Sequence, residues 1–247
     1  MREGYQGTGP GAIAPDGTSI DLYLRLPAGH ETDIVAAAAP PGAHILDLGS
    51  GLGRITNPLL ERGFRVTAVD ESAEMLEHVR GARTVCSPIE ALDLDDRFDV
   101  VLLASFLVNA GDEKVRHGLL STCARHVADD GFVLIEREGE EDFFANVPRE
   151  WAAPGGYTGR VLSAEPLGDG VRRVHVQYEF PDVSWSRTFL SQRLLKKEFE
   201  EELGRTGLRV DQYLTEDEVW VRAVKADTRG SHDAPGTGGT AGLWSQN

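Results

Sequence analysis

The chain has 247 residues, 40% of them hydrophobic, which is enough for one substantial core and fits one large domain or one domain with a small addition. With 40 acidic residues against 25 basic ones, the formal charge of -15 opposes docking on a polyanionic backbone and argues against nucleic acid as a partner. Two cysteines, Cys86 and Cys123, stand in apolar contexts that suggest neither a disulfide framework nor a metal site, and no apolar stretch approaches the roughly 18 residues that span a bilayer, so a cytoplasmic protein without membrane contact is expected.

Residues 1–29 are rich in Gly and Pro until Ile20, Asp21, Leu22, Tyr23 and Leu24, which predicts a loose arm, ordered near Tyr23, that can act as a lid. A short helix is predicted over 31–39, stopped by Pro40 and Pro41. Apolar, β-rich runs then follow at 45–48, 66–69, 84–86, 99–104 and 132–136, with helical segments between most of them. Strands alternating with helices indicate parallel βαβ units, because a parallel pair needs a long crossover. The clearest helix covers 112–127, where Val115, Leu119, Cys123 and Val127 recur every four residues behind an acidic first turn, and Gly131 then releases the chain into the fifth strand.

Beyond Gly139 the period changes. Val174, Val176, Tyr178 and Phe180 alternate with polar residues after a Gly168-Asp169-Gly170 turn, and Trp185, Arg187 and Phe189 continue the alternation. An antiparallel addition of two or three strands over about 158–190 is the expectation. Ser191 reads as the cap of a helix carrying Leu195, Phe199 and Leu203 on one face, ended by Gly204 or Gly207. Residues 208–214 and 218–224 read as the last two strands, closing a main domain of 30–226, and 227–247 is Gly, Ser, Thr and Pro-rich and expected to be disordered.

The chemistry begins at Asp47-Leu48-Gly49-Ser50-Gly51-Leu52-Gly53-Arg54, which leaves a predicted strand and enters a helical segment. Glycines there allow positive φ and close approach of a ligand to the backbone. The dinucleotide fingerprint G-x-G-x-x-G is not met, because its third glycine falls at Arg54, and no G-K-[ST] of a phosphate loop follows.

The pattern D-x-G-x-G-x-G resembles motif I of the class I methyltransferases, and the resemblance extends over about 42–224. It implies an α/β fold, a Rossmann-like seven-stranded methyltransferase sheet with the antiparallel β addition between strands five and six. S-adenosylmethionine is the implied cofactor, held by Asp47, Gly49, Ser50, Gly51, Gly53 and Arg54. The second strand ends in Asp70 and Glu71, where the family binds the ribose diol, and a carboxylate suits that task by accepting two hydrogen bonds. Met75 falls where the family packs an apolar side chain on the adenine. Ile89 and Glu90 fall in the turn that reads the adenine edge, although Pro88 replaces the common Asp there. Ala104 and Ser105 close the fourth strand, and the following loop, Phe106 to Asn109, borders the reacting methyl. The run from Leu103 to Asn109 is also similar to actinobacterial small-molecule methyltransferases.

Methyl transfer depends mainly on alignment, and a base is needed only if the acceptor must lose a proton. Glu136, at the carboxyl end of the fifth strand, His175 and His30 are the candidate catalytic residues by position. Tyr23, Phe106, Asn109, Trp151 and Tyr178 come from segments that can cover the crevice and are candidates for binding a small, flat or apolar acceptor, a specialised metabolite methylated on O, N or C. Core packing is the other account of Tyr178. A homodimer stays open, as do two other functions: a non-catalytic S-adenosylmethionine-binding regulatory module, and a nicotinamide-dependent oxidoreductase.

Overall fold

The computed structural model describes residues 1–153 and 155–226; the tail expected to be disordered, 227–247, lies outside them. The N-terminal arm is ordered along its length, not only near Tyr23. It contains β1 (Gln6–Thr8) and α1 (Ile20–Arg25), the latter capped by Ser19, whose Oγ accepts the Leu22 N–H. The arm is held from far away in sequence: Gly7 pairs with Arg187, and Ser19 Oγ and Trp185 Nε1 both donate to the Pro10 carbonyl, at 2.8 and 2.9 Å. Composition reports local preference only, so these partners left no local signal. Helix α2 (Glu31–Ala38) follows.

The main sheet begins with β2 (His44–Leu48), α3 (Thr56–Glu61), β3 (Arg65–Asp70), α4 (Ala73–Leu76) and β4 (Arg83–Cys86), followed by β5 (Phe98–Leu103), α5 (Glu113–His126) and β6 (Val127–Glu136). Ile45, Leu46 and Leu48 are all buried, as a parallel strand covered on both faces requires. Asp112 caps α5 through Oδ1, which accepts the Lys114 N–H at 2.7 Å, and Leu119, Leu120 and Cys123 of that helix enter the core. Strand β6 starts earlier than expected. It runs through Gly131, where a Cβ would stand 2.7 Å from the Asp99 carbonyl oxygen, so this glycine permits a close strand approach and does not mark the strand's start.

The antiparallel addition is larger than 158–190. Strands β7 (Arg149–Ala153), β8 (Tyr157–Gly168), β9 (Val171–Glu179) and β10 (Ser184–Gln192) form a separate sheet in the order β1-β10-β9-β8-β7, with the arm as one edge. Short edge strands carry little periodicity, which is why β1 and β7, of three and five residues, were not visible in sequence. Ser191 lies inside β10 and donates to Glu138 Oε1 at 2.6 Å; it does not cap a helix. Helix α6 (Lys196–Arg205) starts four residues after that strand, leaving Leu195 exposed at its N-cap while Phe199 and Leu203 are buried.

The chain closes with β11 (Leu208–Tyr213) and β12 (Trp220–Lys225), antiparallel to each other, with β12 antiparallel to β6. The seven-stranded order is β11-β12-β6-β5-β2-β3-β4. The chain runs outward from β2 to β4 and then returns to the other side at β5, so the topological switch point lies between β2 and β5, in register at Leu48 and Leu103. Open α/β sheets bind ligands in the crevice beyond the carboxyl ends of such a strand pair.

Candidate active site

After β2 the backbone turns through Gly49, Gly51 and Gly53 at φ of +76°, +53° and +80°, a region that side chains strain. The Gly49 and Ser50 N–H groups both donate to the Val69 carbonyl, at 2.8 and 2.9 Å, locking the turn onto β3. Asp70 completes the lock: Oδ2 accepts the Gly51 N–H and Oδ1 the Ser72 N–H, each at 2.9 Å. Burial raises the Asp70 pKa while those two N–H groups oppose the rise. Asp47 points beneath the turn, where Thr56 Oγ1 donates to it at 2.5 Å and burial pushes its carboxyl up to about 6.

Beside this turn, Met75 is buried with Leu52 against Ala14 and Ile20 of the arm, and Ile89 packs near Gly49. Glu71 and Glu90 are both paired with Arg2, at 2.8 and 3.1 Å.

On the other side of the switch point, Ala104 is buried and leads into Ser105 and Phe106, both at φ +57°, a costly conformation for two consecutive non-glycine residues. The Ser105 N–H donates to Glu136 Oε2 at 2.7 Å, so the carboxylate at the end of β6 holds this loop. Burial pushes Glu136 up to about 7; the Ser105 N–H opposes the shift, Glu31 adds to it and Arg54 opposes it. Phe106 is 46% exposed at the mouth.

Arg54 turns from the glycine turn towards this side. It donates to the Pro27 carbonyl at 2.6 Å, pairs with Glu31 at 3.4 Å and lies 5.8 Å from the Tyr23 ring centroid. Its charge also acts on Tyr157 and Tyr178, whose pKa values burial raises. Strand pairing places Tyr178 opposite Trp185 and Val176 opposite Arg187 on one face of the second sheet, and Arg187 donates to Asp16 of the arm at 2.7 Å. Arg187 and Tyr5 are also within electrostatic reach of each other. Tyr23, Tyr178, Arg54 and Glu136 therefore converge, whereas His175, His30 and Asn109 do not join them. His175 alternates to the opposite face of β9, and His30 is exposed at the start of α2. Trp151 lies over Gly159 and edge-on to Phe143, 5.8 Å between centroids, and it shares with Tyr178 both a face of the second sheet and the apolar cluster of Val161 and Val176. Asn109 is buried, its Nδ2 donating to the Gln192 carbonyl and its Oδ1 accepting the Glu138 N–H, both at 2.9 Å, so it ties the loop to the second sheet.

The family described as a methyltransferase domain matches residues 46–135, the stretch from β2 to the end of β6 that carries the glycine turn, Asp70 and the loop after β5. Residues 46–135 thus match a methyltransferase domain. An uncharacterised methyltransferase of Mycobacterium tuberculosis is 37% identical over 94 residues, which cover 36% of this chain and 39% of that protein. The matched segment thus spans well under half of that curated relative. An S-adenosylmethionine-dependent methyltransferase from Clostridium acetobutylicum superimposes with a TM-score of 0.67 at 13% identity, covering 83% of this chain and 95% of that one. A sugar N-methyltransferase from Streptoalloteichus superimposes with a TM-score of 0.66 at 18% identity, covering 89% and 98%. These structures share the Rossmann-like fold.

The glycine turn and Asp70 suit S-adenosylmethionine on three observations. A Cβ built on Gly51 meets nothing within 4 Å, so the turn has an open face. Ser50 Oγ is buried without a hydrogen-bond partner, as a group awaiting one would be. Asp70 uses two of about four acceptor sites on the backbone, leaving capacity for a diol. Sequence reasoning missed Arg2, Asp16 and Arg187, whose partners are 69 to 171 residues away, beyond any local pattern.

Proposed function

We propose that this chain transfers a methyl group from S-adenosylmethionine to a small-molecule acceptor held between the sheet's carboxyl edge and the face of the second sheet that carries Tyr178. The observation that carries the reading is the juxtaposition at the switch point of the glycine turn locked by Asp70 with Glu136, which stands at the end of β6 and holds the loop after β5. When bound, S-adenosylmethionine supplies an electrophilic methyl whose C–S bond breaks as the acceptor's lone pair attacks, leaving a neutral thioether. Asp70 is positioned for the ribose diol, Ser50 and the backbone of Gly49 to Gly53 for the methionyl part, and Ile89 for the adenine.

Glu136 receives the acceptor's proton. A carboxyl held near neutrality is better matched to an amine or hydroxyl acceptor than an ordinary carboxylate, because a base works best with a pKa near the working pH. Tyr23, Tyr178 and Phe106 align the acceptor, and the arm with the second sheet excludes water. The formal charge of -15 and a structural neighbour that methylates a sugar support a small molecule over nucleic acid. The test is incubation of the protein with tritiated S-adenosylmethionine and fractionated metabolite extract, followed by mass spectrometry for a product heavier by one methylene. Cofactor binding without any transferred label across broad extracts would favour the regulatory reading, and binding of NAD in place of S-adenosylmethionine would overturn both.

A further inference from the structure

We propose that Arg2 is a cofactor-positioning residue that latches the N-terminal arm across the adenosine end of the crevice by bridging Glu71 and Glu90. The inference rests on the function proposed above. Arg2 grips Glu71 with two hydrogen bonds, Nε to Oε1 at 2.8 Å and Nη2 to Oε2 at 3.2 Å, and reaches Glu90 Oε1 at 3.1 Å through Nη1. Glu71 follows Asp70 at the end of β3, and Glu90 lies in the turn after β4, so one guanidinium spans neighbouring strand ends. Among the described residues neither carboxylate has another cation within salt-bridge distance, and without Arg2 the two would stand close with like charge.

The latch is continuous with a cover. The Arg2 N–H donates to the Pro15 carbonyl at 2.6 Å, and from there the arm lays Ala14 and Ile20 on Met75 and Leu52 beside the open face of Gly51. A ligand entering or leaving past Asp70 must move this segment. The Arg2, Glu71 and Glu90 side chains are 27%, 21% and 30% exposed, so the bridge contributes little to global stability while standing on the exit path.

Stopped-flow release of S-adenosylmethionine from the full chain tests the idea. Arg2→Ala should accelerate release about tenfold, as expected for losing two partly exposed ion pairs, with an almost unchanged melting temperature. Arg2→Lys should restore part of the slow release, because an ammonium keeps the charge but not the fork. Added salt should accelerate release from the wild type and leave Arg2→Ala unaffected. An unchanged release rate in Arg2→Ala, with or without a lowered melting temperature, overturns the latch alone. A wild type that does not bind S-adenosylmethionine overturns the proposed function, and the latch with it.

Discussion

Replacing Glu136 with Gln separates a working carboxyl from a structural one, because the amide keeps the shape and an acceptor for the Ser105 N–H but cannot take a proton. Burial pushes this carboxyl up to about 7 from an ordinary value of 4.5, which corresponds to about 3 kcal/mol between its two protonation states. The sign follows from the raised value. Folding favours the neutral form, so the stabilisation is complete below pH 4.5 and is lost as pH rises through about 7. Wild type should therefore weaken relative to Glu136→Gln across that window, the variant gaining about 3 kcal/mol on it by pH 8, measured by urea denaturation at a series of pH values. Turnover should move the other way: wild-type kcat/KM should rise tenfold per pH unit up to about 7 and then level, and the variant should lose about 100- to 10,000-fold. A stability difference that is the same at every pH would refute the raised pKa, and a variant with full turnover would remove Glu136 from the chemistry.

Asp70→Ala removes the acceptor of the Gly51 and Ser72 N–H groups and should raise the calorimetric dissociation constant for S-adenosylmethionine roughly ten- to hundredfold, with the fold retained; an unchanged affinity would take Asp70 out of the site. Gly51→Val should abolish binding because its side chain would enter the open face of the turn. Gly63→Val, at another positive φ with open space above it, is the control for backbone strain and should keep binding. Asn109→Ala leaves the Gln192 carbonyl and the Glu138 N–H unpaired and should cost about 1–3 kcal/mol, seen as a lower melting temperature; turnover loss with unaltered stability would instead put Asn109 in the acceptor site.

Much of the main sheet was legible in the sequence because its signals are local. The apolar runs ending at Leu48, Asp70 and Leu103 are strands buried on both faces, and the spacing of Gly49, Gly51 and Gly53 requires a turn of positive φ, so the order of elements and the position of the glycine turn followed from short stretches of chain. The second sheet was half legible: the alternation of Val174, Val176 and Tyr178 marked one strand, while β1 and β7, too short to show an alternation, acquire their structure by pairing with β10 and β8. What only the tertiary structure decided is which side chains meet. Asn109 and His175 occupied promising positions, but burial between two carbonyl and amide partners took the first, and strand register turned the second to the far face. The near-neutral Glu136 and the Arg2 bridge depend on desolvation and on charges brought together from distant segments, and neither burial nor a contact across 69 residues is encoded in any local window of sequence.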